Sequence, residues 1–167
     1  MPVLIRDEQP GDVLSIRDVN VRAFEHEQEA NLVDALRSGD GVLLSLVATV
    51  NDRLVGHILF SPIVVGHTRG AALAPMAVLP EHQRQGVGSE LVRTGIQRLT
   101  DAGCPFVIVL GHSDFYPRFG FRPASVRGVR CEWNVPDAAF MMLVLDESKV
   151  RGVSGVAQYR KEFSPLM

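Results

Sequence analysis

Cysteine is nearly missing from this sequence. The two present, Cys104 and Cys131, lie far apart and form neither a C-x-x-C pair nor a metal-ligand spacing. Their simplest reading is buried thiols in a reducing cytoplasm. Long apolar runs are missing too: no segment approaches the ~18 apolar residues of a membrane-spanning helix. The N-terminal stretch carries Asp7, Glu8 and Asp12, which argues against a signal peptide. Basic residues are scattered, with no run of five or more. A net charge of −2 gives no bulk attraction to nucleic acid or to an anionic membrane. The expectation is a cytoplasmic protein with neither as a partner. No repeat, low-complexity tract or linker divides the 167 residues, so one domain over 1–167 is expected.

The most informative run present is Gln83-Arg84-Gln85-Gly86-Val87-Gly88. It follows the apolar Met76-Ala77-Val78-Leu79 and Pro80, and it opens a helical pattern of Leu91, Val92, Gly95, Ile96 and Leu99. Strand, glycine turn and helix together suit an anion. Glycine lets the backbone approach without a Cβ in the way. The first-turn N–H groups of a helix lack internal partners, and the helix dipole adds positive potential there. Two familiar phosphate loops do not fit. There is no Gly-Lys followed by Ser or Thr, and Leu91 stands where a dinucleotide loop needs its third glycine. On the loop alone, an ordinary tight turn is an equally good account.

The other elements follow from periodicity and turn chemistry. Val3 to Arg6 reads as a first strand. Asp12 is a candidate cap for a helix bearing Val13, Ile16, Val19, Ala23 and Phe24, and a second helix with Leu32, Val33 and Leu36 ends near Ser38-Gly39. Leu43 to Val50 and Leu54 to Val65 form a hairpin about Asn51-Asp52. His67-Thr68-Arg69-Gly70 reads as a turn, and Ala71 to Leu79 as the strand before the glycine loop. Phe106 to Leu110 is a buried strand, Asp114 to Arg118 a helical turn, and Ala139 to Leu145 the last clear strand. Arg122 to Pro136, with Trp133, has no assignment. This order gives an α/β class, a mixed sheet flanked by helices.

The run Ala77 to Gly88 resembles motif A of the GCN5-related N-acetyltransferase (GNAT) family, Q/R-x-x-G-x-G/A. Phe115-Tyr116-Pro117-Arg118-Phe119-Gly120-Phe121 is similar to its Tyr-x-x-x-Gly-Phe motif. The helix from Glu29 to Arg37, Phe140-Met141 and the tail Gly155 to Tyr159 resemble the YhbS-like branch. The resemblance implies an acyl-CoA N-acyltransferase fold, with a mostly antiparallel sheet that splays between its fourth and fifth strands. It implies acetyl-CoA as acyl donor and a small-molecule or peptide amine as acceptor. It also assigns residues. Gln83, Arg84, Gln85, Gly86, Val87, Gly88 and Ser89 would hold the pyrophosphate. Met76, Ala77 and Val78 would pair through their backbone with pantetheine, and an N–H there would polarise the acetyl carbonyl. Tyr116 would protonate the leaving thiolate or stabilise it by a hydrogen bond.

Two departures stand out. The stretch Leu73-Ala74-Pro75-Met76 lacks the glutamate that many members place on the fourth strand to help deprotonate the amine. Deprotonation costs roughly 4 kcal/mol for a lysine-like amine and roughly 1 for an α-amine at neutral pH, so an amine of low pKa is mildly favoured. Gly111-His112-Ser113-Asp114 also lacks the Asn that many members carry near pantetheine. Candidate acceptor-side residues are Phe24, His26, Glu29, His57 and Phe115, with His26, Glu29, His57 and His112 as alternatives for a base. The loop Phe24 to Glu27 would cover the acceptor, and a solvated acidic loop explains it equally well. A homodimer through the C-terminal strands is possible on the same pattern. The alternative to an enzyme is a non-catalytic acyl-CoA sensor on the same scaffold.

Overall fold

The computed structural model describes residues 2–166. Its strands are β1 (Leu4–Asp7), β2 (Leu44–Val50), β3 (Arg53–Val65), β4 (Thr68–Val78), β5 (Phe106–Leu110), β6 (Arg122–Pro123), β7 (Val129–Cys131), β8 (Phe140–Val144) and β9 (Gly155–Gln158). The helices are α1 (Val13–Phe24), α2 (Gln28–Ser38), α3 (Val87–Asp101) and the short α4 (Glu147–Val150). The strands lie in the order β1-β2-β3-β4-β5-β8-β6, and β9 joins β3 to β7. Every pairing is antiparallel except β4 with β5 and β7 with β9. Among the described residues, no helix is long and apolar enough to cross a membrane.

The β2–β3 hairpin turns on Asn51 and Asp52, both left-handed (φ 51° and 63°). That is the backbone twist a two-residue hairpin requires, and Asn and Asp adopt it cheaply. The next turn is also two residues long. Gly66 at φ 63° reverses the chain at once, so β4 begins at Thr68 and pairs Thr68 with Val65. The expected turn over His67 to Gly70 is thus mostly strand. Asp12 ends a single 3₁₀ turn before α1, and its carboxylate takes Gln9 N–H at 2.7 Å and Arg6 at 2.7 Å in place of capping α1. The helical turn near Tyr116 covers Tyr116–Phe119, bounded by Gly120 at φ 100°.

Arg122 to Pro136 contains two short strands, β6 and β7. Residues 139–145 hold β8, but a later strand, β9, follows it. β3 is long enough to serve two neighbours on one edge. β2 ends opposite Phe60, and β9 meets β3 further on, at Val64 and Val65. Cys104 and Cys131 are free and half-buried, and burial pushes both thiols up.

α3 lies close on the sheet because its contact face carries a glycine. A Cβ on Gly95 would fall 2.5 Å from the Phe60 ring, and one on Gly56 would meet Leu91 and Val87 at 3.1 Å. Leu91, Val92 and Leu99 fill the rest of that interface, all buried with Phe60 and Val55. This close approach fixes where the first turn of α3 stands relative to β4.

Candidate active site

β4 and β5 run side by side only from Ala71 to Leu73, opposite Val107 to Val109. Then they part. The register of β4 against β3 slips here, Leu73 facing Phe60 but Met76 facing Ile58, so Ala74 and Pro75 form a bulge opposite Leu59. The Ala74–Pro75 peptide is cis. Beyond the bulge, β4 pairs with β3 alone. Leu79 N–H donates to Val55 O at 2.8 Å. Antiparallel alternation therefore turns the N–H and C=O of Val78 and Met76 away from β3, toward the gap. Gln83 Nε2 donates to Val78 O at 3.0 Å from that side.

The chain next passes a 3₁₀ turn (Pro80–His82) and reaches α3. Arg84 (φ 63°) and Gly86 (φ 86°) are both left-handed, which curls the loop so that successive N–H groups point the same way. The first bond of α3 is Glu90 N–H to Gly86 O at 3.0 Å. Among the described residues, the N–H groups of Arg84 through Ser89 have no main-chain partner. Gly88 sits over Met76, where a Cβ would lie 3.2 Å from the Met76 methyl. The loop and the splayed strand are thus in contact.

A cavity of about 760 Å³ runs through the gap. Met76, Ala77, Val78, Gln83, Arg84, Phe115 and Tyr116 line it, as do Phe24 and Glu29. Tyr116 is 6% exposed, and burial pushes its hydroxyl up to about 12. Its ring is held edge-on by Phe115 and Phe121, at centroid distances of 5.0 and 5.6 Å. Gly111 leaves room for it, since a Cβ there would lie 2.6 Å from the ring.

A strand with free edge groups and a tyrosine on one cavity, with an N–H rim beside it, match a known arrangement. The profile of the acetyltransferase (GNAT) family matches residues 13–121. The chain belongs to this family of acetyl-CoA-dependent acyltransferases. It is 34% identical over 165 residues to the uncharacterized N-acetyltransferase YhbS of Escherichia coli (strain K12), covering 97% of this chain and 99% of that protein. It is 41% identical over 141 residues to the uncharacterized N-acetyltransferase YjhQ of the same strain, 78% of each. The crystal structure of E. coli YhbS in complex with CoA superposes with a TM-score of 0.92 at 35% identity, over 96% of this chain and 91% of that one. A GNAT acetyltransferase from Brucella melitensis in complex with acetyl-CoA gives 0.81 at 32% identity, over 98% and 99%. The mostly antiparallel, splayed sheet is the GNAT fold anticipated from the motifs.

Not every anticipated acceptor-side residue of this GNAT chain reaches the cavity. His57 does not. It is fully buried on β3, with Asn20 Nδ2 at 3.2 Å from Nδ1 and Ser45 Oγ at 3.0 Å from Nε2. Ser45 Oγ also donates to Glu8 at 2.6 Å, and Glu8 pairs with Arg37. Ser45 must therefore accept from His57 Nε2–H, which fixes the neutral tautomer. Burial, with help from the Arg37 charge, lowers His57 to about 3. His57 is a core hydrogen-bond hub, because α1 and β2 both supply partners to it. His26 is half-exposed and outside the cavity lining, with Nδ1 3.1 Å from Glu29 Oε1. Glu25 and Glu27 are exposed and face solvent, so the acidic loop does not cluster on the cavity. Gln85, Gly86, Val87, Gly88 and Ser89 stand on the loop rim, beyond the lining.

Sequence reasoning missed Trp133, Tyr159 and Phe163, which also line the cavity. They come from the unassigned stretch and the tail. Their rings form a row, 5.0 Å from Trp133 to Tyr159 and 4.9 Å from Tyr159 to Phe163. The signal available was the family-like tail ending in Tyr159, but nothing local says which face it presents.

Proposed function

We propose that this protein is a single-domain N-acetyltransferase that moves the acetyl group of acetyl-CoA to a primary amine by direct attack. The observation that carries this reading is the free edge of β4, the N–H and C=O of Met76 and the N–H of Val78, standing next to the N–H groups of Arg84 through Ser89, which have no main-chain partner. A pantetheine arm supplies amide partners for the first. A pyrophosphate suits the second. The solved relatives with CoA and acetyl-CoA support the donor. Gln83 is spoken for by Val78 O, so its role is to fasten loop to strand, leaving the phosphates to the backbone.

The ammonium loses one proton to solvent, and its lone pair attacks the acetyl carbonyl. The oxyanion is stabilised by a β4 N–H, the C–S bond breaks with its electron pair on sulfur, and the nitrogen gives up a second proton as the thiol forms. With Tyr116 near 12 and an alkyl thiol near 8.5, full proton transfer from the phenol costs roughly 5 kcal/mol. Tyr116 therefore serves as a hydrogen-bond donor to the developing thiolate. His57, buried and outside the cavity, takes no part.

The test is CoA release from acetyl-CoA against a panel of amines, with Tyr116→Phe alongside. Release that falls in the variant while acetyl-CoA binding holds supports the reading. Binding without turnover on any amine would leave an acyl-CoA sensor, and unchanged turnover would remove Tyr116 from the mechanism.

A further inference from the structure

The two sides of the cavity are lined differently. Beside the glycine loop and the Tyr116–Phe119 turn stand two arginines, Arg84 and Arg118, and the carboxylate of Asp114. Arg118 is engaged, donating to Asp114 O at 3.3 Å and lying 4.8 Å over the Phe115 ring. The other side is built by α1, α2 and the segments after β7 and β9. Its lining includes Phe24, Glu29, Leu32, Trp133, Tyr159 and Phe163, with no arginine or lysine. Its only carboxylate is Glu29.

That carboxylate is unusually placed. The Glu29 side chain is 16% exposed, and Oε1 is buried without a hydrogen-bond partner. His26 Nδ1 is near at 3.1 Å but out of line for a hydrogen bond. A buried carboxylate oxygen is costly until a donor reaches it. An alkylammonium brings three N–H donors and a charge. The row of aromatic rings on the same side suits an apolar or aryl body, and the ring faces tolerate a cation beside them.

Resting on the acetyl-transfer reading above, we infer that the acceptor is an apolar monoamine. Its ammonium is held on Glu29 and its hydrocarbon or aryl body lies against Trp133, Tyr159 and Phe163. A free amino acid would bring a second charge, its carboxylate, to a wall with no cation to pair it. A polyamine would bring a second ammonium to a wall with one carboxylate. The amine then slides from Glu29 to the splayed edge of β4 in the same cavity, losing its proton to solvent as it attacks.

The experiment compares phenethylamine, L-phenylalanine, L-phenylalaninamide and spermidine as acceptors, each corrected to its free-base fraction. Acetyl-CoA binding is measured separately by calorimetry. The expected result is a kcat/KM for phenethylamine at least about tenfold above L-phenylalanine, with the amide regaining most of the loss. Glu29→Gln should raise the KM for phenethylamine about tenfold and leave acetyl-CoA affinity unchanged. Trp133→Leu should also raise that KM. L-phenylalanine or spermidine as the better acceptor, or an unmoved KM in both variants, would overturn the inference. Acetyl-CoA bound but no monoamine acetylated would overturn it alone, and no acetyl-CoA binding would overturn both it and the acetyl-transfer reading.

Discussion

The Gln83 side-chain amide donates to the Val78 carbonyl at 3.0 Å, tying the loop that leads into α3 to the strand that ends just before it. This bond holds the two halves of the proposed donor cleft in register. Replacing it with Gln83→Leu should loosen the loop and weaken acetyl-CoA by the worth of about one hydrogen bond, roughly 0.5–1.5 kcal/mol. Calorimetric Kd values for the two proteins check this, and equal values would refute it.

Gly86 stands at φ 86° with nothing within 4 Å of a Cβ built on it. Gly86→Ala therefore meets no clash and suffers only the left-handed backbone cost of about 1–2 kcal/mol. Thermal unfolding should show that loss. Because the same φ aims the rim N–H groups, acetyl-CoA should bind more weakly too. A variant as stable as the parent would mean the loop has another way to turn.

Burial raises Tyr116 to about 12 from an ordinary 10. A group raised in the folded state contributes stability fully present below the unfolded value and lost as pH rises through the folded one. The window is therefore roughly pH 10 to 12, and the loss is about 2–3 kcal/mol. Tyr116→Phe should remove this part of the alkaline destabilisation. The phenol also stays protonated across the working range, so activity should rise with amine deprotonation and show no Tyr116 limb below pH 10.

His57 runs in the opposite direction. Its folded value near 3 lies below the ordinary 6.5, so the unfolded chain binds the extra proton first. Stability is full above about pH 6.5 and falls as pH drops toward 3, by an amount on the order of a few kcal/mol. His57→Gln should flatten that acid limb in unfolding curves taken from pH 7 to 4, at some cost in stability near neutrality. Its acetyl transfer should survive, because the side chain lies outside the cavity.

Much of the geometry of the proposed donor half was legible in the chain. Gly86, Gly88, Tyr116 and Gly120 sit in fixed local patterns, and turn chemistry at Asn51-Asp52 placed the hairpin. The bulge at Ala74-Pro75 was readable only as a missing carboxylate; that it parts two strands depends on what β5 does thirty residues later. For His57 a hydrogen-bonded core role was the stronger account, but strand alternation gives only a face, not the Asn20 and Ser45 side chains that hold it. The aromatic row was hidden for a similar reason. Trp133, Tyr159 and Phe163 lie in short or irregular segments, where period-based signals fail, and they meet only through the long-range pairing of β9.

That pairing has a mechanical side. β9 is held by short ladders on both edges, at Val64 and Val65 of β3 and at Val129 to Cys131 of β7, whereas β4 follows β3 along nearly its whole length. Short ladders open at lower free energy than long ones. The side of the cavity that carries Tyr159 and Phe163 is therefore its compliant side, and the donor side its rigid one. An acceptor entering past the aromatic row would meet the more yielding wall, and a donor bound along β4 as proposed the stiffer one. Amide exchange should be faster at Gln158, at the end of β9, than at Ala77 in the middle of the β3–β4 ladder, and equal rates would mean the two walls are equally stiff.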